Sequence, residues 1–378
     1  MQSDATLGRA LGSIRGVIRS NGKMMRLGIF SNGQRHNQIA ADSYDEDLRE
    51  LIAADSLGYD EAWISEHVGV HRIDTQPAPE LFIAAAAQRT SHIRMGVGVR
   101  VLPLYHPVDV ATLASACDHM TRGRYLFGFG PGAAGDLQTR QRGIPGSERH
   151  PRMFESLDLI IKCWTSSEPF DYDGQFFHGR SINVLPKPFQ KPHMPISMAS
   201  TTPAAVHWAG RYGFGLLTSQ YESPDSLADL ASTYMEGARE AGRPANRDNI
   251  SVARQIYVSE SVQQARDELR PTAGQDMDDI RTHFGFLFSH YLPASGSVDD
   301  VTFDQLADDG MFIIGDPDTV YHQLRDVYLQ AGGFGQLMLV MGKDWGKLED
   351  RIRSMRLFKE KVWPRLCALE TETRAVVA

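Results

Sequence analysis

The sequence predicts an α/β fold, a (β/α)8 TIM barrel with insertions after strands 4 and 7. Three observations carry that expectation. Short apolar runs alternate with amphipathic runs from residue 26 onward. Eight strand-then-helix repeats follow one another, the pattern of a barrel or a parallel sheet. No GxGxxG turn follows a strand, which weighs against a doubly wound dinucleotide-binding sheet.

The elements follow in order. Arg26–Ser31 is the first strand, and residues 44–57 have helical spacing with Gly58 as the stop. Residues 61–67 form the second strand and 80–89 the second helix. The third strand, 94–102, is rich in β-branched residues, and a helix starts at Pro107 and ends near Gly123. The fourth strand, 125–129, opens into Gly128-Phe129-Gly130-Pro131-Gly132, where glycine permits positive φ and close approach to a ligand. A helix over 153–164 follows. The fifth strand is 195–200, with Thr202 as N-cap and Pro203 as first helical residue. Strands at 215–219, 249–259 and 335–341 complete the eight, and an additional helix covers 318–331.

Three stretches interrupt the repeat. Residues 133–151 are polar and glycine-rich. Residues 169–193 carry Phe170, Tyr172, Phe176 and Phe177 and read as a small hairpin. Residues 271–310 carry Phe284, Phe286, Phe288 and Tyr291 and read as a lid or as a surface excursion. Phe284, Phe286 and Phe288 are the candidate substrate pocket, suited to a small hydrophobic organic molecule. Residues 1–24 are expected to be a flexible N-terminal leader, and 25–378 a single barrel domain.

Composition excludes several classes. A net charge of −8, from 39 basic and 47 acidic residues, argues against a general nucleic-acid binder. The three cysteines, Cys117, Cys163 and Cys367, are widely spaced and suggest neither disulfides nor zinc. No apolar run approaches the ~20 residues that span a membrane, so no membrane partner is expected. A soluble cytoplasmic protein is the expectation.

A barrel builds its site at strand C-terminal ends. Those ends carry Ser31, Glu66, His67, Arg100, Gly130, Gly132, Ser200, Thr201, Thr202, Ser219 and Arg254. Ser200-Thr201-Thr202-Pro203 places hydroxyls at a helix N-terminus, where free N–H groups and the helix dipole attract phosphate. A plain N-cap is the other reading of the same residues. His67 suits acid–base work because imidazole titrates near neutrality. A metal at Glu66, His67 and His71 is not expected, because residues 68–70 do not look helical and no HExxH occurs. His106 reads as a structural residue at the turn into helix three. Arg100 and Arg254 either bind an anion or pair with carboxylates.

Together these pieces resemble the bacterial luciferase-like, flavin-dependent monooxygenases over nearly all of residues 25–365. The resemblance rests on Glu66-His67, Leu102-Pro103 before His106-Pro107, Gly123-Arg124 and Phe127-Gly128. It rests further on Ser200-Thr201-Thr202, Trp208-Ala209 with Gly213, and Gly315-Asp316-Pro317-Asp318-Thr319-Val320. Gly332-Gly333 before Gln336-Leu337 resembles the diketocamphane branch, which carries out Baeyer–Villiger oxidation. The resemblance implies reduced FMN supplied by a separate flavin reductase. It further implies O2 as co-substrate, oxidation of a small-molecule substrate through a flavin C4a-(hydro)peroxide, and a homodimer. It assigns Ser200, Thr201 and Thr202 to the phosphate and His67 to a place beside the flavin. It also matches Gly98 and Val99 to a pair that often carries a non-prolyl cis peptide against the ring. Gly130 stands where luciferase has a cysteine, Pro131 where it has an arginine, and Thr201 where it has a glutamate. The cysteine loss argues against light emission. The arginine loss leaves Arg140, Arg142 or Arg149 to complete the phosphate site. Two other readings stay open: a deazaflavin-dependent oxidoreductase of the same superfamily, and a non-catalytic flavin-binding subunit.

Overall fold

Eight parallel strands close into a ring in the computed structural model, which describes residues 24–31, 33, 39–68, 76–132, 137–284, 292, 296–340 and 345–377. The ring consists of β1 (Arg26–Ser31), β2 (Glu61–Ile64), β3 (Arg94–Val101), β4 (Tyr125–Gly130), β7 (Ile196–Ala199), β8 (Gly215–Leu217), β9 (Ile250–Val258) and β11 (Gln336–Val340). Each pairs in parallel with the next, and β11 returns to β1 with Gly28 opposite Met338. All eight are strands expected from the sequence. The expected hairpin is also present, with β5 (Phe170–Asp173) antiparallel to β6 (His178–Ile182).

Helices cover the outside. In chain order they are α1 (Ala40–Ser56), α2 (Pro79–Ala87), α3 (Pro107–Met120), the short α4 (Leu137–Gln141), α5 (Arg149–Thr165) and α6 (Pro203–Tyr212). Next come α7 (Pro224–Glu240), α8 (Val262–Phe284), α9 (Phe303–Asp308), α10 (Pro317–Gln330), α11 (Leu348–Leu357) and α12 (Trp363–Val377). Strands with both faces covered read as near-continuous apolar runs, and β2, β4, β9 and β11 are buried at every position. The last helices are fastened to the first by Arg351 of α11, which is 2% exposed and pairs with Glu46 at 2.7 Å and Glu50 at 3.0 Å on α1.

Inside the ring, Trp63, Leu126, Leu217, Ala253, Met338 and Val340 form a packed plug. Phe30, Val99 and Ala199 lie on it, partly buried, near the C-terminal ends of their strands. They form the floor of the barrel mouth.

Two elements depart from the expectation. β10 (Phe312–Gly315) is an additional strand, which the sequence reading left unassigned between the insertion that ends at residue 310 and the helix that starts at 318. The ladders of β9 with β8 and β11 reach only Gln255, so its C-terminal half is open to β10 from Gln255 to Val258. Helix α8 continues through Pro271, where the expected helix stops. A proline removes one helical hydrogen bond. Burial of Ala265, Leu269 and Met277 in one cluster with Trp345 holds the helix on both sides, and the Thr272 hydroxyl donates to the Leu269 carbonyl at 3.2 Å. Phe284 is the last helical residue, while Phe286 and Phe288, like the leader over residues 1–23, lie outside the described residues. Among the described residues, no helix is long and apolar enough to cross a membrane.

Candidate active site at the barrel mouth

β2, β3, β4 and β7 are consecutive neighbours in the ring, so their C-terminal ends form one arc of the mouth. That arc holds the residues assigned to the flavin: His67, Gly98, Val99, Gly130, Ser200, Thr201 and Thr202. His67 follows β2, is half-buried, and its backbone N–H donates to the Gln76 carbonyl at 3.1 Å.

The Gly98–Val99 peptide is cis, and the β3–β4 register shifts between Val97 and Arg100. The glycines of β4 fit around this irregular stretch. A Cβ on Gly128 would lie 2.0 Å from the Val97 carbonyl oxygen, and one on Gly130 would lie 2.8 Å from Val99 Cγ2. Gly128 therefore serves the neighbouring backbone rather than a ligand. Gly130 is required by the Val99 side chain at the floor of the mouth.

β4 and β7 run in register with Phe129 opposite Met198, which sets Gly130 beside Ala199. Ser200 follows, and its Oγ accepts from the Thr202 N–H at 3.1 Å. Thr202 is the N-cap of α6 through its backbone alone, with no side-chain cap hydrogen bond. Thr201, Thr202, Pro203 and Ala204 are all exposed. The helix start is thus open, and its threonine hydroxyls are not spent on capping.

Helix α5 begins with a cation, Arg149. Phe154 of α5 packs on Trp208 of α6 with ring centroids 4.7 Å apart, each five residues into its helix. The two helices that begin at Arg149 and Pro203 therefore meet through their aromatic side chains. Arg149 donates to the Gly132 carbonyl just beyond β4. Of the other two arginines, Arg142 lies over the Tyr105 ring at 5.9 Å and Arg140 is exposed.

The remaining strand-end arginines pair with the protein. Arg254 donates to the carbonyls of Gln220 at 3.4 Å and Glu222 at 2.7 Å, holding the loop after β8. Arg100 lies between two carboxylates, with Glu66 at 2.9 Å and a bidentate contact to Glu80. The Tyr105 hydroxyl donates to Glu66 from the other side. Burial pushes the Glu66 carboxyl up to about 7, although Arg100, the Tyr105 hydroxyl and the Val101 N–H oppose the shift. The Tyr105 phenol is pushed up to about 12 by burial and the Glu66 charge. Sequence reading singled out Arg100 and Glu66 separately but missed Glu80 and Tyr105, which lie 20 positions before and 5 after Arg100.

Other expectations find their places. His106 caps α3, its Nδ1 accepting from the Val108 N–H at 3.3 Å, and packs against Phe177. The three cysteines are buried. Among the described residues, no group of three His, Cys, Asp or Glu side chains could hold a metal ion. A cavity of about 60 Å³ lies at the opposite pole, where the strands begin. Part of its polar lining is self-paired, with Gln336 donating to Glu61 at 2.9 Å and Ser251 to Gln336 at 2.6 Å, while the buried His193 Nε2 has no hydrogen-bond partner among the described residues.

A closed parallel barrel with its polar and glycine-lined groups gathered at one mouth defines an enzyme that binds its ligands at the C-terminal face. The chain belongs to the luciferase-like monooxygenase family, whose model matches residues 25–334, and it is accordingly an oxidoreductase of the monooxygenase class. It is 33% identical to the 4-hydroxyprotoasukamycin monooxygenase of Streptomyces nodosus subsp. asukaensis, covering 85% of this chain and 86% of that one. It is 29% identical to the limonene 1,2-monooxygenase of Rhodococcus erythropolis, over 84% and 80% of the two chains. The solved structure of the oxygenating constituent of 3,6-diketocamphane monooxygenase from Pseudomonas putida, a type II Baeyer–Villiger enzyme in complex with FMN, shares the fold. Its TM-score is 0.80 at 24% identity, over 91% of this chain and 99% of that one. Enzymes named for coenzyme F420 are also among the relatives.

Proposed function

We propose that the chain binds FMN across the mouth and uses it with O2 to oxidise a small hydrophobic organic molecule. The phosphate lies on Ser200, Thr201, Thr202 and the start of α6. The ring lies over Gly98 and Val99, with Gly130 leaving room below and His67 at its edge. When bound in its reduced form, the flavin supplies the electrons that activate oxygen.

The observation that carries this reading is the open start of α6. The Thr202 N–H goes to Ser200 Oγ and the Ala205 N–H to the Thr202 carbonyl, so the Ala204 N–H and the uncapped threonine hydroxyls are what favour a phosphate here. Arg149 is the arginine best placed to complete that site, where the family's arginine is replaced by Pro131. The floor residues Phe30, Val99 and Ala199 exclude water from below. The FMN-bound relative described as an oxygenating constituent supports a reductase as partner. Baeyer–Villiger oxidation is the chemistry that this relative suggests, and a homodimer is the assembly expected of the family.

The test is a titration of FMN against the wild type and a Thr201→Val, Thr202→Val double variant. Each lost hydrogen bond to a charged group is worth about 1.5–3 kcal/mol, so affinity should fall at least tenfold. Unchanged affinity would remove the phosphate from this turn.

A further inference from the structure

The Glu66 cluster contains more acid than base. Glu66 has no exposed side-chain surface and Glu80 only 3%, while Arg100, at 5%, is the cation between them. With both carboxylates ionised the cluster carries a net charge of −1. A net buried charge is costly, and uptake of a proton removes it. Glu80 holds the guanidinium with two oxygens, whereas Glu66 takes one of its nitrogens, a phenol and the distant Val101 N–H at 3.5 Å. Glu66 is therefore the carboxyl that takes the proton, in agreement with its upward shift.

Tyr105 connects this carboxyl to the outside. It stands in the loop after β3, on the mouth side, and is half-buried. Arg100 lies 4.8 Å from its ring centroid, and Arg142 approaches from the segment after β4. Glu80 is backed by the Cys117 thiol, which donates to its carbonyl at 3.8 Å, and senses the Tyr125 phenol. Asp118 adds a further charge at Cys117 and Tyr125. Among the described residues, these groups and the Val101 N–H face the pair from β3, β4, α2, α3 and the adjoining loops.

We propose that Glu66 and Tyr105 form a proton relay, the buried carboxyl storing one proton and the phenol passing it to the mouth. In the loaded state the Glu66 O–H donates to Tyr105 Oη, and the phenolic O–H points outward. On transfer the phenol gives its own proton to the acceptor and takes the proton of Glu66, leaving a carboxylate that accepts from Tyr105. Two O–H bonds break and two form, and the cluster passes from neutral to −1. Solvent reloads it by the reverse path.

The use of the proton rests on the proposed function. Reduced FMN, held as its monoanion, would give up one proton on oxidation, that of N5. Transfer of one oxygen atom to a substrate releases the other as water, which needs two protons. One proton per turnover therefore comes from outside the flavin. Glu66 stores that proton and acts through Tyr105, which hands it to the acceptor at the mouth.

The storage step is tested without flavin, by infrared difference spectroscopy of the chain across pH 5 to 9. A carboxyl C=O band titrating near pH 7 should appear in the wild type and vanish in Glu66→Gln. Tyr105→Phe, which removes a single half-buried hydroxyl, should shift that band. Tyr105→Phe should also slow oxygen-dependent reoxidation of bound flavin about 100-fold, the lower range for assisted proton transfer, and move its pH profile while FMN affinity stays unchanged. A band absent from the wild type, or retained in Glu66→Gln, overturns the relay. So does a wild-type pH profile in Tyr105→Phe, which carries the test alone if Glu66→Gln does not fold. A titrating Glu66 in a chain that fails to bind FMN supports the storage step and refutes the flavin reading.

Discussion

Replacing Arg100 with Met should destabilise the barrel strongly, and in a pH-dependent way. The substitution keeps length and apolar volume but removes the cation between two buried carboxylates. Breaking a buried pair by deleting one partner costs about 3–5 kcal/mol. In the wild type, Arg100 opposes the upward push of burial on Glu66. In the variant that opposition is gone, and the carboxyls bind protons more tightly in the folded chain than in the unfolded one. A carboxyl whose folded pKa is raised stabilises fully below its unfolded value, about 4.3, and loses that contribution as pH rises through the folded value. The wild type loses some stability this way between about pH 4.5 and 7, because Glu66 itself is raised to about 7. The variant should lose more, over a wider range. Urea midpoints at pH 5.5 and 8 measure the difference. It should be small at pH 5.5 and reach about 3–5 kcal/mol at pH 8, with part recovered by adding Glu80→Gln. A deficit under about 1 kcal/mol at pH 8, or one that does not change with pH, would refute the charge accounting of this cluster.

Three further outcomes are expected. Gly128→Ala places a methyl group 2.0 Å from the Val97 carbonyl oxygen, so β3 or β4 must shift. The cost should reach about 3 kcal/mol, read as a lowered urea midpoint. Arg149→Met should weaken FMN by about tenfold or more while leaving riboflavin unaffected, because only FMN carries the phosphate; equal effects on both would place Arg149 elsewhere. His67→Ala should leave FMN affinity near the wild-type value and slow substrate oxidation 10²-fold or more, as measured by product formed per flavin oxidised. Unchanged turnover would favour a flavin-binding subunit.

Much of the ring was legible because its strands are buried on both faces. Runs such as Leu337-Met338-Leu339-Val340 need no partner to be recognised. β10 was not, because four apolar residues between Gly310 and Gly315 become a strand only where β9 outruns its other neighbours. Helix α8 passes Pro271 because packing on both sides outweighs a local breaker. At the mouth, the exposed start of α6 was legible from a local signal, three hydroxyl residues before a proline. The Glu66, Glu80, Arg100 and Tyr105 cluster was not, since its members come from the segment after β2, α2, β3 and the loop after β3 and meet only when the barrel closes. The glycines of β4 were recognised as unusual but read as ligand-facing. Their geometry assigns Gly128 to the neighbouring strand and leaves Gly130 to the floor of the site.

The central claim is that reduced FMN binds at this mouth and reacts there with oxygen. Its most direct test is an anaerobic titration with chemically reduced FMN, followed by rapid mixing with oxygenated buffer in a stopped-flow spectrometer. The account predicts saturable binding and a transient absorbing species distinct from both reduced and oxidised flavin. Absence of binding, with tight binding of reduced coenzyme F420 instead, would contradict it and identify a hydride-transferring member of the family.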